Sequence, residues 1–163
     1  MGDPGLAGPR EPDDGRAGAA ARRRWMSVLA LATTDELEAC WAGLGAPPSY
    51  RVLRRPEVGL VMVSGRAGGT GTRFNLGEMT ATRCTVQLDN GPPGHAWIGG
   101  RDRRQAELAA VFDALLQDPG RTAALAHSVV EPLARAQAER RRAAVTRVAS
   151  SRVEFFTLVR GED

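Results

Sequence analysis

Between Tyr50 and Ile98 the chain carries a series of strand-like runs whose connections are too short to hold a helix. Parallel neighbours need a crossover of a dozen or more residues, so these runs can pair only antiparallel, as a meander. Tyr50–Arg54 is the first run, and Pro56-Glu57 predicts a turn after it. Val58–Ser64 is the second, with Leu60 and Met62 on one face and Val61 and Val63 on the other. Two apolar faces predict a central or covered strand. Glu78–Leu88 alternates Thr82, Cys84, Val86 and Leu88 against Arg83, Thr85 and Gln87, which is the pattern of a half-buried strand. Asp89-Asn90-Gly91 signals a tight turn, and Gly94–Ile98 closes the meander.

The flanks have helical periodicity. Trp25, Val28, Leu29 and Ala32 fall at i, i+3, i+4 and i+7. Thr33 followed by Glu36 fits a capping box opening a second helix, from Thr34 to about Ala42, that buries Leu37, Cys40 and Trp41. After the meander, Asp102 can cap a helix with the stripe Leu108, Phe112, Leu115 and Leu116. Asp118-Pro119-Gly120 breaks it. A further helix starts near Thr122, and Pro132 suits the first turn of a third. Ser151–Arg160 reads as a late strand, with Val153, Phe155 and Val159 alternating against Phe156 and Leu158. The expected fold class is therefore α+β: an antiparallel meander flanked by N-terminal and C-terminal helices, with a late C-terminal strand. Residues 1–21, rich in Gly, Pro, Ala, Arg and Asp, predict a disordered tail. Residues 22–163 predict a single domain.

Composition narrows the chemistry. The chain has 22 basic residues, all arginine, against 19 acidic ones. A phosphate-binding P-loop needs a lysine after its glycines and a helix after that, so the Gly68-Gly69-Thr70-Gly71-Thr72-Arg73 stretch is not one. What remains for Arg66, Gly68, Gly69, Thr70, Gly71 and Arg73 is an anion-binding loop, with backbone N–H groups and two guanidinium groups as donors, or an interface loop between strands. His95 and His127 lack companions at metal-ligand spacing, so no metal site is expected. Thr85 or Asp102 could be imagined beside His95, but nothing in the sequence places them there, and no catalytic residue is assigned. Cys40 and Cys84 read as small buried hydrophobes in a reducing compartment. Scattered arginines and 5% aromatics do not make a nucleic-acid surface. No apolar run approaches the ~20 residues of a membrane span. Trp25 and Met26 near one end, and Phe155 and Phe156 near the other, are candidate anchors for partner chains.

Five blocks carry a resemblance: R-W-M-S-V-L-A (24–30), E-V-G-L-V-M-V (57–63), G-G-T-G-T-R-F-N-L-G-E-M-T-A-T-R (68–83), W-I-G-G-R-D (97–102) and S-R-V-E-F-F-T-L-V-R-G (151–161). In this order they resemble the G subunit of the bacterial carbon–phosphorus lyase system, the PhnG family. The resemblance implies a cytoplasmic, accessory subunit of a phosphonate-catabolising complex. With H, I and L type subunits it would help convert ATP and methylphosphonate into a ribose 1-methylphosphonate 5-triphosphate. Its partners would be the H, I, J and L types, the I type most directly. No cofactor is expected on this chain, the iron–sulfur cluster belonging to another subunit. The rival expectation is an independent phosphate- or nucleotide-binding enzyme domain using the Gly68–Arg73 loop.

Overall fold

The computed structural model describes residues 13–89 and 91–150. The expected strand Ser151–Arg160, with Phe155 and Phe156, and residues 1–12 of the expected tail lie outside the described residues. The elements are α1 (Asp13–Leu31), α2 (Thr34–Ala42), β1 (Tyr50–Arg66), β2 (Arg73–Leu88), β3 (Pro93–Gly99), α3 (Arg103–Leu116), α4 (Pro119–Leu125) and α5 (Glu131–Ser150). A single π-helical turn, Ala126–Val130, joins α4 to α5. The sheet is a three-stranded antiparallel meander in the order β1-β2-β3, with helices before and after it, as the pattern of connections requires.

α3 is the centre of the molecule. Ten of its fourteen residues, from Ala106 to Leu116, are buried. One side packs on β2 and β3, and α1, α2 and α4 cover the rest. The stripes read from periodicity all reach this core: Trp25, Val28, Leu29 and Ala32 from α1, and Leu108, Phe112, Leu115 and Leu116 from α3. Cys84, Val86 and Leu88 meet them from the sheet.

Three boundaries differ from expectation. α1 begins at Asp13, upstream of Arg22. Ala19, Ala20 and Ala21 precede the buried stripe without a break, and alanine is the best helix former. Tyr50–Arg54 and Val58–Ser64 are one strand rather than two, because Arg55-Pro56 is a bulge. Arg54 pairs with Thr85 and Glu57 with Arg83, so two β1 residues face the single Cys84. β1 lies at the sheet edge, where a proline without an N–H is tolerated. Lastly, Val58–Ser64 is not central or covered. Beyond Thr80, β2 has no β3 partner, and the β1–β2 hairpin continues past the core as a free ribbon.

Thr33 caps α2 in a full capping box: Glu36 N–H donates to Thr33 Oγ1 at 3.2 Å, and Thr33 N–H donates to Glu36 Oε2 at 2.8 Å. Glu36 also pairs with Arg140 of α5. The hydrogen bond from Arg140 is the main reason the Glu36 carboxyl sits below its ordinary value. A carboxyl with a depressed folded value stabilises the protein fully above its unfolded value and ceases to do so as pH falls through the folded one. Thr33→Ala is expected to cost about 1 kcal/mol. Glu36→Gln should lower Tm at neutral pH, and the gap from wild type should close in acid. Thermal melts across pH check both.

Candidate functional site

The free ribbon is the most unusual surface of the molecule. From the pairs Leu60↔Thr80 to Arg66↔Arg73, two strands run with no third strand beside them. An isolated two-stranded hairpin is marginally stable in water, yet this arm is apolar on both faces. Residues paired across strands share a face, and faces alternate along a strand. On the face that continues the core side lie Val58, Leu60 and Met62, partnered by Thr82, Thr80 and Glu78. On the opposite face lie Val61 with Met79, then Val63, and Phe74 beside Gly65. Leu76 is the bulge residue, skipped between Val63↔Gly77 and Ser64↔Asn75. A Cβ at Gly65 would lie 2.4 Å from Leu76 Cδ1, so the Leu76 side chain lies over Gly65 on that same face. Leu60, Met62 and Leu76 are 64%, 57% and 63% exposed, and Phe74 and Met79 are close to half exposed.

At the tip of the arm sits the glycine loop. Gly68 and Gly69 take φ of 59° and 81°, the left-handed region that favours glycine. Gly71 N–H donates to the Ala67 carbonyl at 2.8 Å, and Arg66 Nη1 donates to the Gly71 carbonyl at 3.1 Å. The loop thus spends two N–H groups, those of Thr70 and Gly71, and one guanidinium on its own closure. Arg73 stands directly opposite Arg66 as the last cross-strand pair, and among the described residues neither forms an ion pair with an acid. Thr70 follows as the closing turn residue.

The helix-free face of the sheet continues from the arm. Glu57, Arg83 and Trp97 stand side by side across all three strands. Glu57 Oε2 accepts from Arg83 and from Arg54, each at 3.1 Å, and these bonds hold its carboxyl below the ordinary range. The Arg83 guanidinium lies 5.6 Å from the centroid of the Trp97 ring, which is 54% exposed. A shallow groove runs between this triad and Gly59, Val61 and Ala81. On the same face Thr85 Oγ1 is 3.2 Å from His95 Nδ1. A nucleophile–base pair needs a third group to orient the base. The described contacts give the His95 ring no carboxylate, and Asp102 is engaged elsewhere, capping α3 and accepting from Thr34.

Of the terminal anchors, Trp25 is corrected by its burial. It is 8% exposed, and its Nε1 donates to Asp113 Oδ1 at 2.9 Å. An indole held so offers little to a partner. Met26 is partly buried against the core. The sequence reading missed Asp113, a fully buried carboxylate that also accepts from Arg22 Nη2 at 2.7 Å and Arg22 Nε at 3.2 Å. It accepts as well from His95 N–H at 2.9 Å and Gln117 Nε2 at 3.3 Å. The available signal was a lone acid inside the apolar run A-A-V-F-D-A-L-L.

Cys84 is buried and Cys40 partly so, and neither is in a disulfide. Burial pushes the Cys84 thiol up to about 11. It should stay unlabelled by iodoacetamide at mildly alkaline pH in the folded protein and react on denaturation, as mass spectrometry of the labelled peptides would read. Among the described residues no group of three or more His, Cys, Asp or Glu side chains could hold a metal ion, and no helix is long and apolar enough to cross a membrane.

Residues 20–161 match the family model described as phosphonate metabolism protein PhnG. The chain is 47% identical over 147 residues to a protein of Rhizobium meliloti strain 1021, across 90% of this chain and 94% of the other. That relative is named alpha-D-ribose 1-methylphosphonate 5-triphosphate synthase subunit PhnG.

Proposed function

We propose, for a chain that belongs to the PhnG family of phosphonate metabolism proteins, the role of an accessory, non-catalytic subunit of a phosphonate-processing synthase. It works in the cytoplasm with H, I, J and L type subunits, the I type most directly. The assembly makes alpha-D-ribose 1-methylphosphonate 5-triphosphate from ATP and methylphosphonate. This chain binds no cofactor of its own and supplies surface rather than reacting groups. The observation that carries the reading is the uncovered apolar arm, on a chain whose 47% identical relative is by name a synthase subunit. Phe155 and Phe156 are proposed to join that contact from the C-terminal segment.

A second reading, an independent nucleotide- or phosphate-binding domain, rests on the Gly68–Arg73 loop and the acid-free pair Arg66 and Arg73. It is the weaker one, because the loop closes on its own N–H and guanidinium groups. Calorimetry separates the two. The purified chain should give no saturable heat with ATP or methylphosphonate, and the tagged chain should co-purify with the I type subunit. Saturable binding by the lone chain, abolished by Arg73→Ala, would establish the second reading and sink the first.

A further inference from the structure

Resting on the accessory-subunit reading above, we infer that the β1–β2 arm is an insertion device. It enters an apolar slot in a partner protein, both faces covered, and its tip arginines meet carboxylates on the floor of that slot.

The two-faced character of the arm argues for a slot rather than a flat contact. A partner laid against one side would leave either the row Val58, Leu60, Met62 or the row Phe74, Leu76, Met79 in water. Aromatic side chains offer on the order of 150–250 Å² each, and Leu and Met fall toward the lower part of that range. At roughly half exposure, the two rows with Trp97 present on the order of 700 Å². Divided between two faces, it is an ordinary patch on each, roughly 350 Å², but taken together it is close to one partner's share of a standard interface, about 800 Å². The arm is also long enough to enter a cleft: seven residues from Leu60 to Arg66 at ~3.3 Å each reach ~23 Å beyond the three-stranded sheet.

Charge identifies the floor. Like charges directly opposite on paired strands destabilise a hairpin, and Arg66 and Arg73 are such a pair at its outermost point. Arg66 is turned partly onto the Gly71 carbonyl, and the described residues offer Arg73 no acid. The counter-charge therefore comes from outside. A second copy of this chain is a poor source, since its formal charge is +3 and its own arm carries one acid, Glu78, against the two arginines of the tip. A protein carboxylate cluster at the end of an apolar cleft satisfies both requirements at once.

The test uses the full chain and the purified I type subunit in nucleotide-free buffer, with three variants: Leu60→Asp, Leu76→Asp, and the tip pair Arg66→Glu with Arg73→Glu. These residues lie outside the core, so circular dichroism and Tm should match wild type. Each face variant should weaken association at least about tenfold. The tip variant should weaken it and flatten its dependence on salt. Equal association by wild type and both face variants overturns the inference and leaves the accessory-subunit reading standing. Absence of association by wild type overturns both. Self-association of the lone chain that the face variants abolish overturns the acidic partner in favour of a second copy. Displacement of the partner by ATP alone assigns the tip to phosphate and likewise overturns it.

Discussion

Gly94→Ala is expected to cost the protein about 2–4 kcal/mol of stability, a large share of what holds it folded. At Gly94 the backbone of β3 lies directly against α3. A Cβ there would lie 2.0 Å from the Ala110 carbonyl oxygen, 2.6 Å from Ala114 N and 2.7 Å from Ala114 Cβ. Two of those atoms are backbone of a helix buried nearly all round, which has nowhere to retreat. Accommodation must come from β3 moving off α3. That also pulls His95 N–H from Asp113 Oδ2, now 2.9 Å away, so a steric cost becomes a polar one. Overpacking alone costs ~1–3 kcal/mol, and the lost hydrogen bond adds about another 1, out of a typical total of ~5–15 kcal/mol. Ala114→Gly in the same chain should rescue little, because the Ala110 carbonyl remains in place. Gly59→Ala, where an added Cβ meets nothing within 4 Å, is the control and should change stability by less than about 0.5 kcal/mol. Thermal melts and soluble yield decide it; a Gly94→Ala protein that melts with wild type would mean β3 and α3 are not packed as described.

That close approach shows what the sequence carried and what it hid. The meander was legible because short connections leave a sheet no other topology, and the helical stripes because burial imposes a period. Asp102 and the Thr33–Glu36 box were legible as caps for the same local reason. Two apolar faces on Val58–Met62 were ambiguous. The same pattern serves a strand covered by its own domain and one waiting to be covered by another, and only the register, with β3 stopping opposite Ala81, separates them. The arginines at the arm tip were visible as residues, but their face-to-face placement depends on the Leu76 bulge, which period-two counting cannot see. Trp25 misled because a large aromatic near a chain end suits both a core and an interface, and its distinguishing feature is a partner 88 residues away.

That partner sets the second large effect. Asp113→Ala is expected to cost about 3–5 kcal/mol, most of it from the donors the carboxylate leaves unpaired. The carboxylate gathers donors from three elements: Arg22 and Trp25 of α1, His95 of β3, and Gln117 just past α3. Without it, the buried Trp25 indole and the part-buried His95 amide lose their acceptor, at ~1–3 kcal/mol each. Arg22 fares better, because a third of its side chain is exposed and its charge can turn to solvent. The series is therefore graded. Trp25→Phe, which keeps the ring and deletes one donor, should cost roughly 1 kcal/mol, and Arg22→Ala a similar amount. Asp113→Asn should fall near the alanine variant, because an amide has one acceptor where the site presents five N–H groups and adds two donors of its own. In a double-mutant cycle, Trp25→Phe should cost less on the Asp113→Ala background than alone, since its lost hydrogen bond is already gone. Urea midpoints at constant m would measure all of these. If Asp113→Ala unfolded at the wild-type midpoint, α1 would have to be held on the sheet by apolar packing alone.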